Sequence, residues 1–376
     1  MGQGHRGHRH IDLVIGTRPE AIKIAPVARA LANHRGIAQR IVVTGQHRGL
    51  ESPRGVPVAR LAVDPEGLSM AGLSRAIVAA LDRLWEAEPP AMLLVQGDTT
   101  SALAAALAAW ARHIPIGHVE AGLRSGDLAE PFPEEANRLA IDRMSALLFA
   151  PTERAAEHLA RDPLVTGEIH LTGNSGIDAL LEILGRSRPE LSTRRRRSIY
   201  ATCHRRENQN RALDGICAAM ARLTQDFPVE IVFALHPNPR RREAVLERLG
   251  GVPHVRLVEP RSHEDSIALL QACWLVLTDS GGLQEEAATL GKPALVLRRV
   301  TERMEAVDSG NARLVGRDGD DIVGAVGALL RDPAAYARMA RPSMLFGDGT
   351  AGPRIAAAAS RHMEAIEEAA MAQALA

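Results

Sequence analysis

The chain has 376 residues, which is long enough for about two domains. Apolar residues make up 46% and aromatic residues only 3%, so Ala, Leu and Val must build most of the core. Lys plus Arg equals Asp plus Glu, at 45 each. No overall field therefore attracts the protein to nucleic acid or to an anionic membrane.

The three cysteines, Cys203, Cys217 and Cys273, form no close pair in sequence. This pattern indicates neither a disulfide framework nor a zinc site, and it fits a reducing compartment. Cys203 lies in a motif described below, where a reactive thiol is one alternative, and we expect a buried, inert thiol there. No apolar run reaches the roughly 18 residues that a transmembrane helix requires. We therefore expect a cytoplasmic protein with no membrane span and no bound metal.

Apolar, strand-like runs alternate with helical patterns, which is typical of βαβ units around a mostly parallel sheet. The runs lie at 11–15, 40–44, 92–96, 114–119 and 146–150, and again at 198–202, 230–235, 255–258, 274–278 and 294–298. The economical interpretation is an α/β protein of two Rossmann-like domains with a ligand cleft between them. We expect an N-terminal domain at 1–170, a C-terminal domain at 171–353 and a final helix at 354–376.

The segment Gly16-Thr17-Arg18-Pro19-Glu20 follows the first predicted strand. Thr17 can cap a helix whose first turn holds Pro19. Arg18 and Lys23 then lie near the helix N-terminus, where an anion is favoured. An ordinary capped helix with two solvated cations is the alternative. Neither a G-x-G-x-x-G turn nor a GxxxxGK[ST] loop occurs in the chain, which disfavours a nicotinamide cofactor and a P-loop ATPase.

Two carboxylates, Asp98 and Glu120, each follow directly on a short apolar run, where a buried parallel strand would end. Open α/β sheets bind ligands at the carboxyl ends of their strands, so this placement predicts acid/base chemistry on a polar substrate. Asp98 could alternatively cap the alanine-rich helix that follows it. Glu134 and Arg138 are four residues apart in PFPEEANR and share one helix face, either in a site or as a surface ion pair.

The second half contains three further candidate segments. CHRRENQN (203–210) places His204, Arg205, Arg206 and Glu207 after a strand, a combination suited to phosphate binding or proton transfer. His236 ends the next strand, where it either caps a turn or contacts a ligand. Asp279-Ser280-Gly281-Gly282 precedes a helix, and its glycines would let backbone N–H groups approach a diphosphate. Glu286, one turn later, could accept hydrogen bonds from ribose hydroxyls. A plain strand-to-helix turn is the alternative.

The chain contains, in order, the strings GTRPEAIK, TGQHR, GDTTSALA, GHVEAGLRSGD, PFPEEANR, CHRREN, LHPNP, TDSGGLQEEA and TERMEAV. Each string is weak evidence by itself, but together, in this order from residue 16 to about 307, they are specific. They resemble the non-hydrolysing UDP-N-acetylglucosamine 2-epimerases. The resemblance implies a two-domain glycosyltransferase-B fold, a homodimer and a C-terminal helix that returns to the first domain.

The resemblance also implies an activity. The family interconverts UDP-N-acetylglucosamine and UDP-N-acetylmannosamine without a cofactor, by anti elimination of UDP to 2-acetamidoglucal and re-addition of UDP. By similarity, Asp98, Glu120 and Glu134 are the acid/base candidates, and His204 assists departure of the diphosphate. The residues implied in substrate binding are Arg18, Lys23, His236, Ser280, Gly281, Gly282, Glu286 and Arg303.

Two regions depart from the family pattern. LESPRGVPVARL, after QHRG, is shorter and richer in proline than the segment where many bacterial members bind an activating second UDP-N-acetylglucosamine. Near Arg261 and Ser266 the family often has a glutamine and an aromatic residue beside the uracil. The departure beside the uracil keeps a UDP-diacetamido-uronic acid 2-epimerase open, and both departures keep a non-catalytic UDP-sugar sensor open. A UDP-sugar glycosyltransferase of the same architecture is a further alternative.

Overall fold

The computed structural model describes residues 10–34, 37–53, 55–186, 196–205, 208, 211–259 and 262–375. Arg206, Glu207 and Arg261, named above, lie outside these residues. The chain forms two compact α/β units, Met1–Ala179 with Gly347–Ala376, and Leu180–Phe346. The first division falls within a helix, nine residues beyond the boundary expected from the sequence at 170, and the first unit resumes before residue 354.

The first unit contains a parallel sheet of seven strands in the order β3-β2-β1-β4-β5-β6-β7. Its strands are β1 (His10–Ile15), β2 (Ala38–Val43), β3 (Val58–Arg60), β4 (Met92–Gln96), β5 (Ile116–Val119), β6 (Leu147–Ala150) and β7 (Glu168–Leu171). Its helices are α1 (Arg18–Ala32), α2 (Met70–Ala87), α3 (Thr100–Ala111), α4 (Glu134–Met144), α5 (Glu153–Arg161) and the start of α6 (Ser175–Arg186).

The second unit contains a parallel sheet of six strands in the order β10-β9-β8-β11-β12-β13. Its strands are β8 (Arg197–Thr202), β9 (Val229–Ala234), β10 (Val255–Val258), β11 (Leu275–Thr278), β12 (Ala294–Val296) and β13 (Ala312–Leu314). Its helices are α7 (Arg211–Asp226), α8 (Pro239–Leu249), α9 (His263–Ala272), α10 (Gly281–Leu290), α11 (Met304–Asp308), α12 (Gly319–Arg331) and α13 (Pro333–Met339).

The final helix, α14 (Ala351–Leu375), belongs to the first unit. Its Ile355 and Ala359 share one hydrophobic core with Ile24 and Val27 of α1. The carboxylate of Asp178 in α6 accepts hydrogen bonds from the first two backbone N–H groups of α14, at 3.1 and 2.7 Å. This satisfies donors that a helix start otherwise leaves unpaired.

Every strand predicted from an apolar run is present, and the expected α/β architecture of two Rossmann-like units is confirmed. Because β1, β4 and β5 are neighbours in the first sheet, the turns after them lie at one edge of that sheet. In the second sheet β8 lies between β9 and β11, which likewise gathers the turns after these strands. Among the helices that the structure describes, none is long and apolar enough to cross a membrane.

Candidate active site

The turn after β1 is organised by a buried carboxylate. One oxygen of Glu20 accepts hydrogen bonds from the backbone N–H groups of Gly16, at 2.8 Å, and Thr17, at 2.5 Å. The other accepts a hydrogen bond from the hydroxyl of Thr99, at 2.6 Å, in the turn after β4. Burial raises the pKa of Glu20 despite these hydrogen bonds. Glu20 therefore joins the turn after β1 to the turn after β4. Arg18 is exposed at the start of α1, directly after the first of these turns.

Glu120 follows β5 with a left-handed φ of 70°, which a non-glycine residue keeps only where surrounding contacts fix it. Lys23 places its ammonium 2.6 and 2.7 Å from the two carboxylate oxygens. Gln96 donates a hydrogen bond to one of these oxygens, and Asn174 Nδ2 lies 3.4 Å from the other. Lys23, expected from the sequence to bind a diphosphate, lies in this structure against Glu120.

Asp98 is anchored by α4. Arg138 donates hydrogen bonds from Nε, at 2.9 Å, and from a terminal nitrogen to Oδ2 of Asp98. Asn137 Nδ2 donates to the backbone carbonyl of the same residue at 2.8 Å. The side chain of Asp98 is 23% exposed, whereas that of Arg138 is 2% exposed. The carboxylate is thus both fixed and accessible to a ligand.

The two glutamates that begin α4 differ in their surroundings. Glu135 is buried and accepts hydrogen bonds from the backbone N–H groups of Ser125, at 3.0 Å, and Gly126, at 3.1 Å, and from Arg138, at 2.8 Å. Glu134 is partly buried. A surface ion pair at Arg138, one alternative from the sequence, is wrong because Arg138 is buried. Sequence reasoning selected Glu134 and missed Glu135.

In the second unit Asp279, directly after β11, anchors the loop that carries His204. One oxygen of its buried carboxylate accepts hydrogen bonds from the backbone N–H groups of His204 and Arg205 and from Asn208 Nδ2, each at 2.8 Å. The ring Nε2 of His204 lies 3.1 Å from the carbonyl of Ala234. A carbonyl only accepts, so Nε2 carries a proton. Nδ1 is then the nitrogen that can exchange a proton or hydrogen bond with a ligand.

His236 supports this loop. Its ring contacts that of His204 edge to face, with centroids 5.0 Å apart. Its Nδ1 accepts the backbone N–H of Asn238 at 2.9 Å, which is the turn-capping role considered from the sequence. Arg241 donates a hydrogen bond to the carbonyl of His204 at 2.5 Å. His236 therefore lies beside His204, the candidate for assisting departure of the diphosphate.

The turn after Asp279 begins α10 with Ser280 as its N-cap. A Cβ on Gly281 would lie 2.7 Å from the guanidinium carbon of Arg303, so a side chain there would displace this cation. A Cβ on Gly282 meets no described atom within 4 Å. The first glycine therefore leaves room for the Arg303 guanidinium, and the second leaves the helix N-terminus open to an anion.

Arg303 and Glu286 adjoin this turn, as expected from the sequence. Arg303 is held by Glu285, at 2.8 Å, and Glu302, at 3.0 Å. Glu286 Oε1 lies 2.8 Å from His263 Nε2 in α9. Sequence reasoning missed Glu285, Glu302 and His263. Glu285 and Glu302 are immediate neighbours of the selected Glu286 and Arg303, whereas His263 lies 23 residues before Glu286.

Within the described parts of the chain, no group of three His, Cys, Asp or Glu side chains is arranged to hold a metal ion. Burial, together with the nearby charge of Asp279, raises the pKa of Cys203 well above its ordinary value. Cys203 is therefore a buried thiol of low reactivity, as expected.

Residues 29–360 match the family model described as UDP-N-acetylglucosamine 2-epimerase. The chain is 41% identical over 360 residues to the UDP-N-acetylglucosamine 2-epimerase of Escherichia coli K12, covering 91% of this chain and 96% of that protein. The chain belongs to the UDP-N-acetylglucosamine 2-epimerase family. Its expected resemblance to this family, and the enzyme class of isomerase, are confirmed.

Two solved structures support this family membership. The epimerase of Neisseria meningitidis, bound to UDP-GlcNAc, has 34% identity and a TM-score of 0.86, covering 94% of this chain and 100% of that chain. The epimerase of Methanocaldococcus jannaschii, in complex with UDP-GlcNAc and UDP, has 30% identity and a TM-score of 0.82, covering 94% and 99%. The epimerase fold is the glycosyltransferase-B-like fold expected from the motifs.

Proposed function

We propose that this protein interconverts UDP-N-acetylglucosamine and UDP-N-acetylmannosamine by epimerisation at C2. The observation that carries the proposal is the pair of carboxylates, Asp98 and Glu120, at the ends of the adjacent strands β4 and β5. Each is fixed by a cationic side chain from a neighbouring helix. Family membership supports the substrate, since relatives of this fold bind UDP-GlcNAc.

The chemistry explains why such groups are required. The hydrogen at C2 is not next to a carbonyl on the sugar ring, so it is a very weak acid. Departure of UDP therefore runs ahead of proton removal: the C1–O bond breaks, and its electron pair leaves with UDP. The C2 proton passes to a carboxylate as the C1=C2 bond of 2-acetamidoglucal forms. Delivery of a proton to the other face of C2 and attack of UDP oxygen on C1 give the epimer.

Asp98, Glu120 and Glu134 are proposed as the acids and bases that remove and return this proton. Glu120 is suited to the role because its strained backbone and its hydrogen bonds with Lys23, Gln96 and Asn174 fix the carboxylate before substrate arrives. Lys23 then contributes by holding Glu120 rather than through the diphosphate alone. Fixed geometry of this kind lowers the barrier because no reorganisation is needed during the reaction.

The second unit is proposed to hold the nucleotide. Ser280, Gly281 and Gly282 offer the open N-terminus of α10 to the diphosphate, and Glu286 accepts hydrogen bonds from the ribose. His204, as an imidazolium, donates from Nδ1 to the departing diphosphate, with His236 beside it. Arg303 adds positive charge in this unit, and Arg18 of the first unit is proposed to bind substrate as the family resemblance implies. Donors aimed at a developing anion are usually the largest contribution to such catalysis.

The decisive experiment is solvent isotope exchange. The purified protein is incubated with UDP-N-acetylglucosamine in D₂O, and the nucleotide sugars are analysed by NMR. We expect both epimers to appear and both to carry deuterium at C2. If neither UDP-N-acetylglucosamine nor any other UDP-acetamido sugar gains label, the proposed function is wrong.

A panel of UDP sugars distinguishes the alternatives named from the sequence. Exchange limited to a UDP-diacetamido-uronic acid would identify that epimerase instead. Sugar transfer to an acceptor without exchange at C2 would identify a glycosyltransferase. Calorimetric binding of UDP sugars without any turnover would identify a sensor.

We also propose that the protein is a homodimer. An apolar stripe runs along α3 through Leu103, Leu107 and Trp110, of which Leu107 is 43% and Trp110 is 61% exposed in the single chain. Such a stripe at helical spacing normally packs against another surface. Sedimentation velocity tests this: Trp110→Glu should yield monomers, whereas Leu246→Glu, at an exposed leucine of α8, should not. An unchanged sedimentation coefficient for Trp110→Glu would contradict this interface.

The cytoplasm is the proposed location. Cys203, Cys217 and Cys273 are all free and buried, and free thiols persist in reducing compartments.

A further inference from the structure

The centre of the first sheet contains a histidine to which the proposed reaction assigns no role. His118 lies in β5, two residues before Glu120, and its side chain is fully buried. Its Nδ1 lies 2.7 Å from Oδ1 of Asp142 in α4, and its Nε2 lies 2.9 Å from the carbonyl oxygen of Gly97. Since it has no exposed surface, His118 does not touch a substrate.

The two partners of the ring define its protonation. The Gly97 carbonyl can only accept, so Nε2 must donate. Burial alone would raise the pKa of Asp142, but the hydrogen bond and charge of His118 and the charge of Arg124, 2.7 Å away, hold that pKa below its ordinary value. Asp142 is therefore a carboxylate, and Nδ1 donates to it. The two nitrogens of the His118 ring therefore face acceptors in two directions.

The hydrogen bond from Nε2 acts on the turn that carries Asp98. Gly97, with a φ of 67°, donates its N–H to the carbonyl of Val119 at 3.0 Å and accepts the His118 hydrogen bond on its own carbonyl. Asn137 donates to the carbonyl of the next residue, Asp98, at 2.8 Å. The peptide groups before and after Asp98 are thus both fixed, the first by His118 of β5 and the second by Asn137 of α4.

The carboxylate of Asp142 extends the same network to the segment after Glu120. Its Oδ2 accepts the backbone N–H of Gly122, at 3.4 Å, and a hydrogen bond from Arg124. One buried ion pair therefore contacts both turns that carry the proposed acid/base residues. A side chain that only filled space in β5 would not need two charged or polar partners at these positions.

We propose that His118 is a positioning residue for C2 epimerisation: its Nε2–H holds the Gly97 carbonyl and so fixes the carboxylate of Asp98 for proton transfer. The proposal rests on the proposed function. It predicts that loss of the hydrogen bond to Gly97 impairs the chemical step, whereas loss of the hydrogen bond to Asp142 alone impairs mainly the stability of the fold.

Two amide variants separate these hydrogen bonds. The amide nitrogen of His118→Gln reaches the position of Nε2 and can still donate to Gly97. The amide nitrogen of His118→Asn reaches only the position of Nδ1 and can donate only to Asp142. We expect His118→Asn to lower kcat by about 30- to 100-fold with KM changed less than about threefold, because a misplaced group costs about 100-fold. His118→Gln should stay within about fivefold of wild-type kcat.

Thermal unfolding of each variant and a matched control accompany the kinetics. His170→Asn replaces another histidine of the same sheet, in the edge strand β7, and should leave kcat unchanged. The proposal is overturned if His118→Asn keeps the kcat of His118→Gln, or if both lose kcat equally. A wild-type protein without C2 exchange would instead refute the proposed function, so the two failures are distinct.

A second variant applies if His118→Asn does not fold. In Asp142→Asn the amide can donate to Nδ1 of a neutral imidazole, which leaves Nε2–H on the Gly97 carbonyl. We expect this variant to lose stability but to keep kcat within about fivefold, as its positioning hydrogen bond is retained. A loss of kcat as large as about 30-fold in a folded Asp142→Asn protein would overturn the proposal.

Discussion

The two sheets end in polar turns that are built in opposite ways. In the first unit carboxylates are the presented groups, and a lysine and an arginine from neighbouring helices hold Glu120 and Asp98 in place. In the second unit the carboxylate of Asp279 is buried and does the holding. It holds the backbone of His204, whose ring lies against the carbonyl of Ala234, and the open start of α10 follows Asp279 directly. The first unit is suited to exchanging protons, and the second to binding an anion.

In both units, the groups that would act on the substrate are distinct from the groups that hold them in place. A carboxylate placed next to a cation keeps its charge and position, so it can accept a proton without first reorganising its surroundings. In the second unit the buried carboxylate of Asp279 accepts the backbone N–H groups of His204 and Arg205, so the loop that carries His204 is fixed in the same way. Substituting a group that acts on the substrate should therefore lower kcat directly. Substituting a group that holds it should lower kcat indirectly, because the acting group loses its position.

The largest effect is expected from the acids of the first unit. Asp98→Asn and Glu120→Gln keep the size of each side chain but remove its ability to accept a proton. We expect kcat to fall by about 10²- to 10⁴-fold, the usual contribution of general acid–base catalysis, with UDP binding retained. NMR of deuterium at C2 measures the loss. Glu66→Gln, at an exposed ion pair with Arg48, is the control and should remain active. Retention of a tenth or more of kcat by both acid variants would contradict these roles.

A smaller loss of turnover is expected in the second unit at His204. Its Nε2–H is committed to the Ala234 carbonyl, so His204 donates to the departing diphosphate from Nδ1 in the doubly protonated form of its ring. His204→Ala should lower kcat by about 10²-fold while KM and UDP affinity change only a few-fold, because the hydrogen bond strengthens as charge develops. His254→Asn, at an exposed histidine with φ of 63°, is the control. Equal losses of kcat and binding would argue against a leaving-group role.

Two cations of α1 test whether holding and binding are separate functions. Lys23 contacts Glu120, whereas Arg18 is exposed at the helix start. We expect Lys23→Met to lower kcat by at least about tenfold with UDP affinity unchanged. Arg18→Met should weaken UDP binding by about tenfold, which corresponds to one charge-assisted hydrogen bond. Calorimetry with UDP and steady-state kinetics measure the two effects. If Lys23→Met weakens UDP binding as much as Arg18→Met does, Lys23 binds the diphosphate as the sequence suggested.

The sequence predicted the fold well because interior parallel strands are continuous apolar runs. The three strands it missed, β3, β7 and β13, are edge strands of their sheets and are only partly buried. An edge strand faces solvent on one side and can be short and polar, so no apolar run marks it. The turns of the site follow directly on these apolar runs. The glycines and acidic residues in those turns could therefore be identified from the sequence.

The sequence could not predict most of the holding groups. Arg138 lies 40 residues from Asp98, and Asp279 lies 75 from His204, so only the folded chain brings each pair together. Glu20 is the exception. It stands three residues after the helix cap Thr17, and this spacing of Thr and Glu is the sequence signature of a capping box. Attention to that signature would have identified Glu20 before the structure did.

The smallest effects are expected from the two glycines at the start of α10, which the sequence treated alike and the structure does not. Gly281→Ala places a methyl group against the buried guanidinium of Arg303, so we expect a loss of about 1–3 kcal/mol in the free energy of unfolding.

Gly282→Ala adds its methyl group in open space within a helix, so the free energy of unfolding should stay level or rise by up to about 1 kcal/mol. The same methyl group would stand where the diphosphate approaches the helix N-terminus, so UDP should protect this variant from thermal unfolding less than it protects wild type. Melting temperatures with and without UDP measure both effects for the two variants. Full protection of Gly282→Ala by UDP would place the diphosphate elsewhere, because a ligand held by those backbone N–H groups cannot share their space with a side chain.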